Sequence, residues 1–267
     1  MNKIFTLYNI EIKRIYKMYF ALLGFLFAGN ILIIAGELYS LGNNLNSKFS
    51  LATLKFANTR ESLLQYGLIN IYVVTNIFLA VAVIFCLIYG ILIWYRDFLG
   101  KSKTIYTLFM LPENKFKIYI AKAITIIVMI YGVIATQIVS WIIGMNIINI
   151  FTNIQISEIL NLFAYQVRAS GELNLIQHYP IDFVMRDMIG VVLAVIVIFT
   201  GVMMQLSSKK KGAILGVLYI VGIIFVYMGS TFGYSDIILT RHIIYYIVVF
   251  AISIKTSYDL LNKKIYV

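Results

Sequence analysis

Between Lys122 and Glu158 the chain runs 35 residues without a charged side chain, and between Glu61 and Arg96 it runs 34. About 20 apolar residues in a helix cross a hydrocarbon core of ~30 Å, so each run is long enough for one span plus interfacial residues. Shorter uncharged runs cover residues 18–36, 188–208 and 212–235. A sixth candidate, 237–254, is interrupted near one end by Arg241 and His242. An arginine there can carry its guanidinium to the interface along its aliphatic stem, which keeps the span. Composition agrees: 61% of residues are hydrophobic and 12% charged, where a soluble chain carries roughly a quarter charged. The predicted fold is therefore an all-α polytopic membrane protein, one transmembrane domain over 1–267. Its spans are expected near 19–36, 67–95, 119–145, 188–207, 213–230 and 237–254.

The net charge of +11 could suggest a nucleic-acid partner, but its distribution points to topology. With six spans, sixteen of the 22 Lys and Arg residues fall on the side of the N-terminus. The positive-inside bias then places both termini in the cytoplasm. The basic excess is accounted for by orientation, and no nucleic-acid partner is expected.

Three segments lie outside the spans. Residues 1–18 are amphipathic at helical spacing: Phe5, Tyr8, Ile12 and Ile15 share one face, with Lys3, Thr6, Asn9, Lys13 and Lys17 opposite. That pattern predicts an interfacial helix with its lysines towards lipid headgroups. Residues 102–111 read as a short amphipathic cytoplasmic helix between spans two and three. There Thr104, Ile105, Leu108 and Leu111 form an apolar strip, broadened by Tyr106 and Phe109, before Pro112 ends it. The outer segment 146–187 carries a helix expected to start at Glu158 after a Ser157 cap, most simply packed on the spans beneath it.

Several searches exclude function classes. Gly100-Lys101-Ser102 ends like a phosphate-binding loop, but Tyr95 stands where the motif needs its first glycine. His178 and His242 have no ligand spacing around them, and Cys86 is the single cysteine. No nucleophile–base set or paired carboxylates emerge, so neither catalysis, a metal nor a cofactor is expected. The first apolar run is too long for the core of a signal peptide, and no cleavage is expected. The span middles hold no ionisable residue, which disfavours an ion-driven transporter or channel. Their polar residues include Asn30, Asn76, Gln137 and Gln205, which either bond between helices or line a passage for an amphipathic substrate.

The run TIYTLFMLPENKFK at 104–117, followed by Ile120-Ala121-Lys122, resembles the permease subunits of type-2 ABC exporters. The amphipathic N-terminus resembles that family's connecting helix, and the ending SYDLLNKK at 257–264 is also similar. The resemblance implies that residues 102–112 form a coupling helix whose Thr104, Ile105, Tyr106, Leu108, Leu111 and Pro112 dock on a separate ABC ATPase. It further implies a multi-pass protein of the bacterial cell membrane, non-catalytic itself, working with a second permease chain as a homo- or heterodimer. The small residues Gly212/Gly216 and Ser140/Gly144 would permit close helix approach in such a dimer. Analogy with small permeases acting on antimicrobial peptides suggests export of an amphipathic or peptide-like substrate. In many members re-entrant outer helices lie between spans five and six; here the long outer segment follows span three, and no extrusion gate carries over. The alternative is a non-transporting membrane sensor that holds a soluble protein through the same loop.

Overall fold

The computed structural model describes residues 3–49, 57–99, 115–152, 155–159, 188–207, 212–231 and 238–263. It is helical, with no strand among the described residues. Six long helices follow one another: α1 (Lys3–Phe49), α2 (Ala57–Leu99), α3 (Lys115–Thr152), α4 (Gly190–Ser207), α5 (Gly212–Thr231) and α6 (Ile238–Lys263). All six are long and apolar enough to cross a membrane.

The first helix departs from expectation. Instead of an interfacial helix over 1–18 followed by a span, α1 is continuous for 47 residues, about 70 Å at 1.5 Å per residue. No proline or glycine lies between Lys3 and Gly24, so the charged turn at Lys13–Lys17 gives the backbone no reason to stop. Its buried face also differs. Phe5 is exposed, while Glu11 and Ile15 are buried. The stripe repeats through Leu26, Asn30 and Ile34, at spacings that keep one side of a helix inward. The last helix runs past the expected end of its span at 254, to Lys263. Arg241 lies in the first turn of α6.

Two compact units divide the chain, and each of the first three helices contributes to both. The first unit contains residues 1–16, 84–130 and 184–267. In it α4 packs against both α5 and α6, and α5 against α6. Half of the α4 span is buried, against 11% of the α5 span. The α4–α5 contact is a backbone approach. A Cβ on Gly216 would collide with the carbonyl oxygen of Gly201, and one on Gly212 with that of Gln205. Along α4–α6, Thr200 Oγ1 lies 2.8 Å from Ser257 Oγ, and Tyr219 OH of α5 lies 2.7 Å from Ser253 Oγ. The exposed side of α5, with Ile214, Val217, Leu218, Val221 and Phe225, is apolar enough to face lipid or another span.

The second unit contains residues 17–83 and 131–183. Its core joins Ile34 of α1, Leu68, Ile71 and Tyr72 of α2, and Trp141, Met145 and Ile148 of α3. Trp141 Nε1 donates to Thr75 Oγ1 at 3.2 Å, and its ring lies 5.5 Å from that of Tyr72. Gly144 admits Ile34, and Ser140 is buried, its hydroxyl donating to the Thr136 carbonyl. The helix expected at Glu158 begins earlier, at Ile156. The Gln155 carbonyl, not a Ser157 cap, accepts from the Glu158 and Ile159 amides at 2.9 and 3.2 Å, and Ile159 is fully buried in the core just described.

Candidate functional site

The expected coupling-helix residues Thr104, Ile105, Tyr106, Leu108, Leu111 and Pro112 lie outside the described residues. The two helix ends that flank them are described, and there the first unit holds its most costly interior: a buried ion-pair network of Glu11, Asp97 and Lys122, with Arg14 and Arg96 at its edge.

Three helices build it. Asp97 sits in the last turn of α2, Lys122 two turns into α3, and Glu11 two turns into α1. The Lys122 and Asp97 side chains are each 1% exposed. Lys122 Nζ donates to Asp97 Oδ2, to Glu11 Oε1 at 3.1 Å and to the Ile93 carbonyl at 3.5 Å. An ammonium has three donors, so each is placed. Its charge also lies 5.1 Å from the centre of the Trp94 ring. Arg96 approaches from the rim, with Nη2 2.7 Å from Glu11 Oε2 and Nη1 3.1 Å from the Tyr89 hydroxyl. Arg14 stands 3.8 Å from one oxygen of each carboxylate. Beneath the network the Trp94 and Tyr119 rings meet Phe199 edge-on, at 5.7 and 5.6 Å between centroids.

Burying a single ion costs several kcal/mol even after relaxation, and only close partners with satisfied donors offset it. The arrangement meets that condition, and so it fixes geometry: α1 cannot separate from the facing ends of α2 and α3 without exposing an uncompensated charge. Asp97 and Lys122 bracket residues 100–114 directly, and Glu11 carries the connection to α1.

The polar span residues fall in both units. Asn30 and Gln137, both fully buried in the second unit, are brought together, with Asn30 Nδ2 donating to Gln137 Oε1 at 2.7 Å. Asn76 is half-buried on α2 of the same unit, and Gln205 half-buried on α4 of the other. A groove of about 340 Å³ in the first unit, between α4, α5 and α6, has an apolar and tyrosine lining that includes Leu193, Ile220, Tyr227 and Tyr245. Among the described residues no three His, Cys, Asp or Glu side chains gather into a metal-binding group.

In the sequence alone Lys122 reads as a topology charge, and its partners go unnoticed. A signal for them is present. Glu11 is the only acid before residue 37, set between two isoleucines in a basic helix. The six apolar helices define a multi-pass helical membrane protein. No protein-family model, curated protein or solved structure matches the chain.

Proposed function

We propose that this chain is the membrane-spanning subunit of a bacterial ABC exporter, moving an amphipathic or peptide-like substrate with energy from a separate ATPase. The observation that carries the reading is the buried Glu11–Asp97–Lys122 network at both flanks of residues 100–114. A loop that only joined two spans would need no such anchorage, whereas a docking segment must pass force into the bundle without its roots yielding. In this reading closure of the ATPase pushes on residues 102–112, and the network makes α1, α2 and α3 respond together. Residues 102–112 and both termini face the cytoplasm.

The pairing with a second permease chain rests on different surfaces from those the small residues first suggested. Gly212, Gly216, Ser140 and Gly144 are all used in packing within the chain. The exposed apolar faces of α1 and α5 are left for a partner helix.

One observation favours the second reading, a sensor that docks a soluble protein without transport. The Asn30 and Gln137 amides bond each other and line no opening among the described residues. Affinity purification of the tagged full chain from its native membrane, with mass-spectrometric identification of stoichiometric partners, separates the two. A partner with a phosphate-binding loop and an ABC signature supports export; a stoichiometric partner without nucleotide motifs overturns it.

A further inference from the structure

Among the described residues the charges of the network do not cancel, and the residue left over is Arg14. Lys122 and Arg96 offset Glu11 and Asp97, each bonded directly to carboxylate oxygens. Arg14 is held only by the field of that neutral quartet. At 3.8 Å from its nearest oxygens it is beyond hydrogen-bonding range, and its side chain is 40% exposed. A guanidinium has five N–H donors, and among the described residues none of them meets a hydrogen-bond acceptor. Lys13, its neighbour on α1, is exposed as well. One turn before and one turn after it on the same face of α1, Ile10 and Met18 are 45% and 44% exposed. A cation rising between exposed apolar side chains, near one end of a bundle of spans, stands at the level of lipid headgroups.

We propose that Arg14, assisted by Lys13, binds the phosphate of an anionic phospholipid, whose negative charge offsets the surplus of the network. The planar fork of a guanidinium matches two phosphate oxygens, which a diffuse ionic atmosphere does not. The exposed Ile10 and Met18 favour a phosphate carried on an apolar body over one free in solution. A zwitterionic headgroup fits less well, because its ammonium would seek a carboxylate. Glu11 and Asp97 are already committed to Lys122 and Arg96. This proposal goes beyond the transport reading and holds whether or not the chain moves a substrate.

The test is native mass spectrometry of the purified full chain in detergent, titrated in parallel with phosphatidylglycerol and phosphatidylcholine. Wild type retains one phosphatidylglycerol with a preference of about tenfold over phosphatidylcholine, the scale of one or two basic residues at a lipid surface. Arg14→Gln reduces that preference to about twofold or less, and Lys13→Gln reduces it in part. Lys13 is exposed and outside the ion pairs, so Lys13→Gln keeps the wild-type melting temperature in phosphatidylcholine micelles. Arg14→Gln also loses two ion-pair contacts at 3.8 Å and is therefore read by the ratio of the two lipids it retains, with Arg14→Lys restoring the preference in part. Equal retention of the two lipids by wild type overturns the proposal, a result that needs no variant to fold. So does a phosphatidylglycerol preference undiminished in Arg14→Gln. Inorganic phosphate at millimolar concentration is the third arm. If it alone raises the wild-type melting temperature as much as phosphatidylglycerol does, the site serves free phosphate and the lipid assignment is wrong.

Discussion

Replacing Lys122 by Met keeps most of the aliphatic stem in place and removes the ammonium. Three donations are lost, to Asp97, Glu11 and the Ile93 carbonyl. Glu11 retains Arg96 at 2.7 Å. Asp97, 1% exposed, keeps the more distant charges of Arg96 Nε at 3.6 Å and Arg14 at 3.8 Å. Breaking a buried pair by removing one partner costs about 3–5 kcal/mol. The two remaining arginines place Lys122→Met at the lower end, about 3 kcal/mol, or roughly a hundredfold in the unfolded-to-folded ratio. The second substitution Asp97→Asn removes the stranded charge while keeping the side chain's shape, and should restore about 2 kcal/mol of the loss. Equilibrium unfolding in mixed micelles, followed by tryptophan fluorescence, measures both. The chain has two tryptophans, Trp94 in the unit that holds the network and Trp141 in the other. A Trp141→Phe background therefore reports the affected unit alone. A Lys122→Met protein within about 1 kcal/mol of wild type would refute the claim that the network is a tightly compensated interior. A double variant no more stable than the single one would refute the assignment of the loss to a stranded Asp97 charge.

Gly216→Val forces a side chain against the Gly201 carbonyl and should destabilise the α4–α5 contact by about 1–3 kcal/mol, while Gly24→Ala, in mid-helix with nothing within 4 Å, should not destabilise in the same unfolding assay. Asn30→Ala leaves Gln137 buried without its partner and should cost about 1–2 kcal/mol, most of it recovered in the Asn30→Leu/Gln137→Leu double variant. For topology, cysteines introduced at Lys48 and Glu172 in a Cys86→Ser background should react with an impermeant thiol reagent added to intact cells, and those at Lys103 and Lys210 should not. Labelling of position 210 from outside would overturn the cytoplasmic placement of that end.

The spans are readable from the sequence because burying a charge in hydrocarbon is so costly that 20 or more apolar residues without one mark a crossing. The continuity of α1 is harder to read. A cluster of lysines has the look of a boundary, although nothing at Lys13–Lys17 prevents a helix from carrying on into the membrane. Glu11 explains the difference, since a buried partner on another helix, not local amphipathicity, decides which face of α1 turns inward. Asp97 and Lys122 are 25 residues apart, and Glu11 and Lys122 are 111 apart. Side-chain periodicity along one helix carries no information about such pairings. Asn30 and Gln137 illustrate the same limit: each is visible as a polar residue in an apolar run, but only tertiary structure shows that they meet. The small residues at 212 and 216 are legible as sites of close helix approach, but the helix that approaches is α4 of the same chain.

The central claim is that residues 102–112 transmit work from an ATPase to the bundle, and Leu108→Asp tests it most directly. A carboxylate placed in the apolar strip should cost several kcal/mol in a docked groove, enough to abolish a micromolar contact. The measurement is ATPase copurification together with substrate-stimulated ATP hydrolysis, for wild type and Leu108→Asp at matched membrane levels. The account predicts that the variant inserts normally, keeps the unfolding midpoint of wild type and loses both ATPase binding and stimulation. Retention of both by a correctly inserted Leu108→Asp protein would contradict it, leaving the segment a connector between two spans.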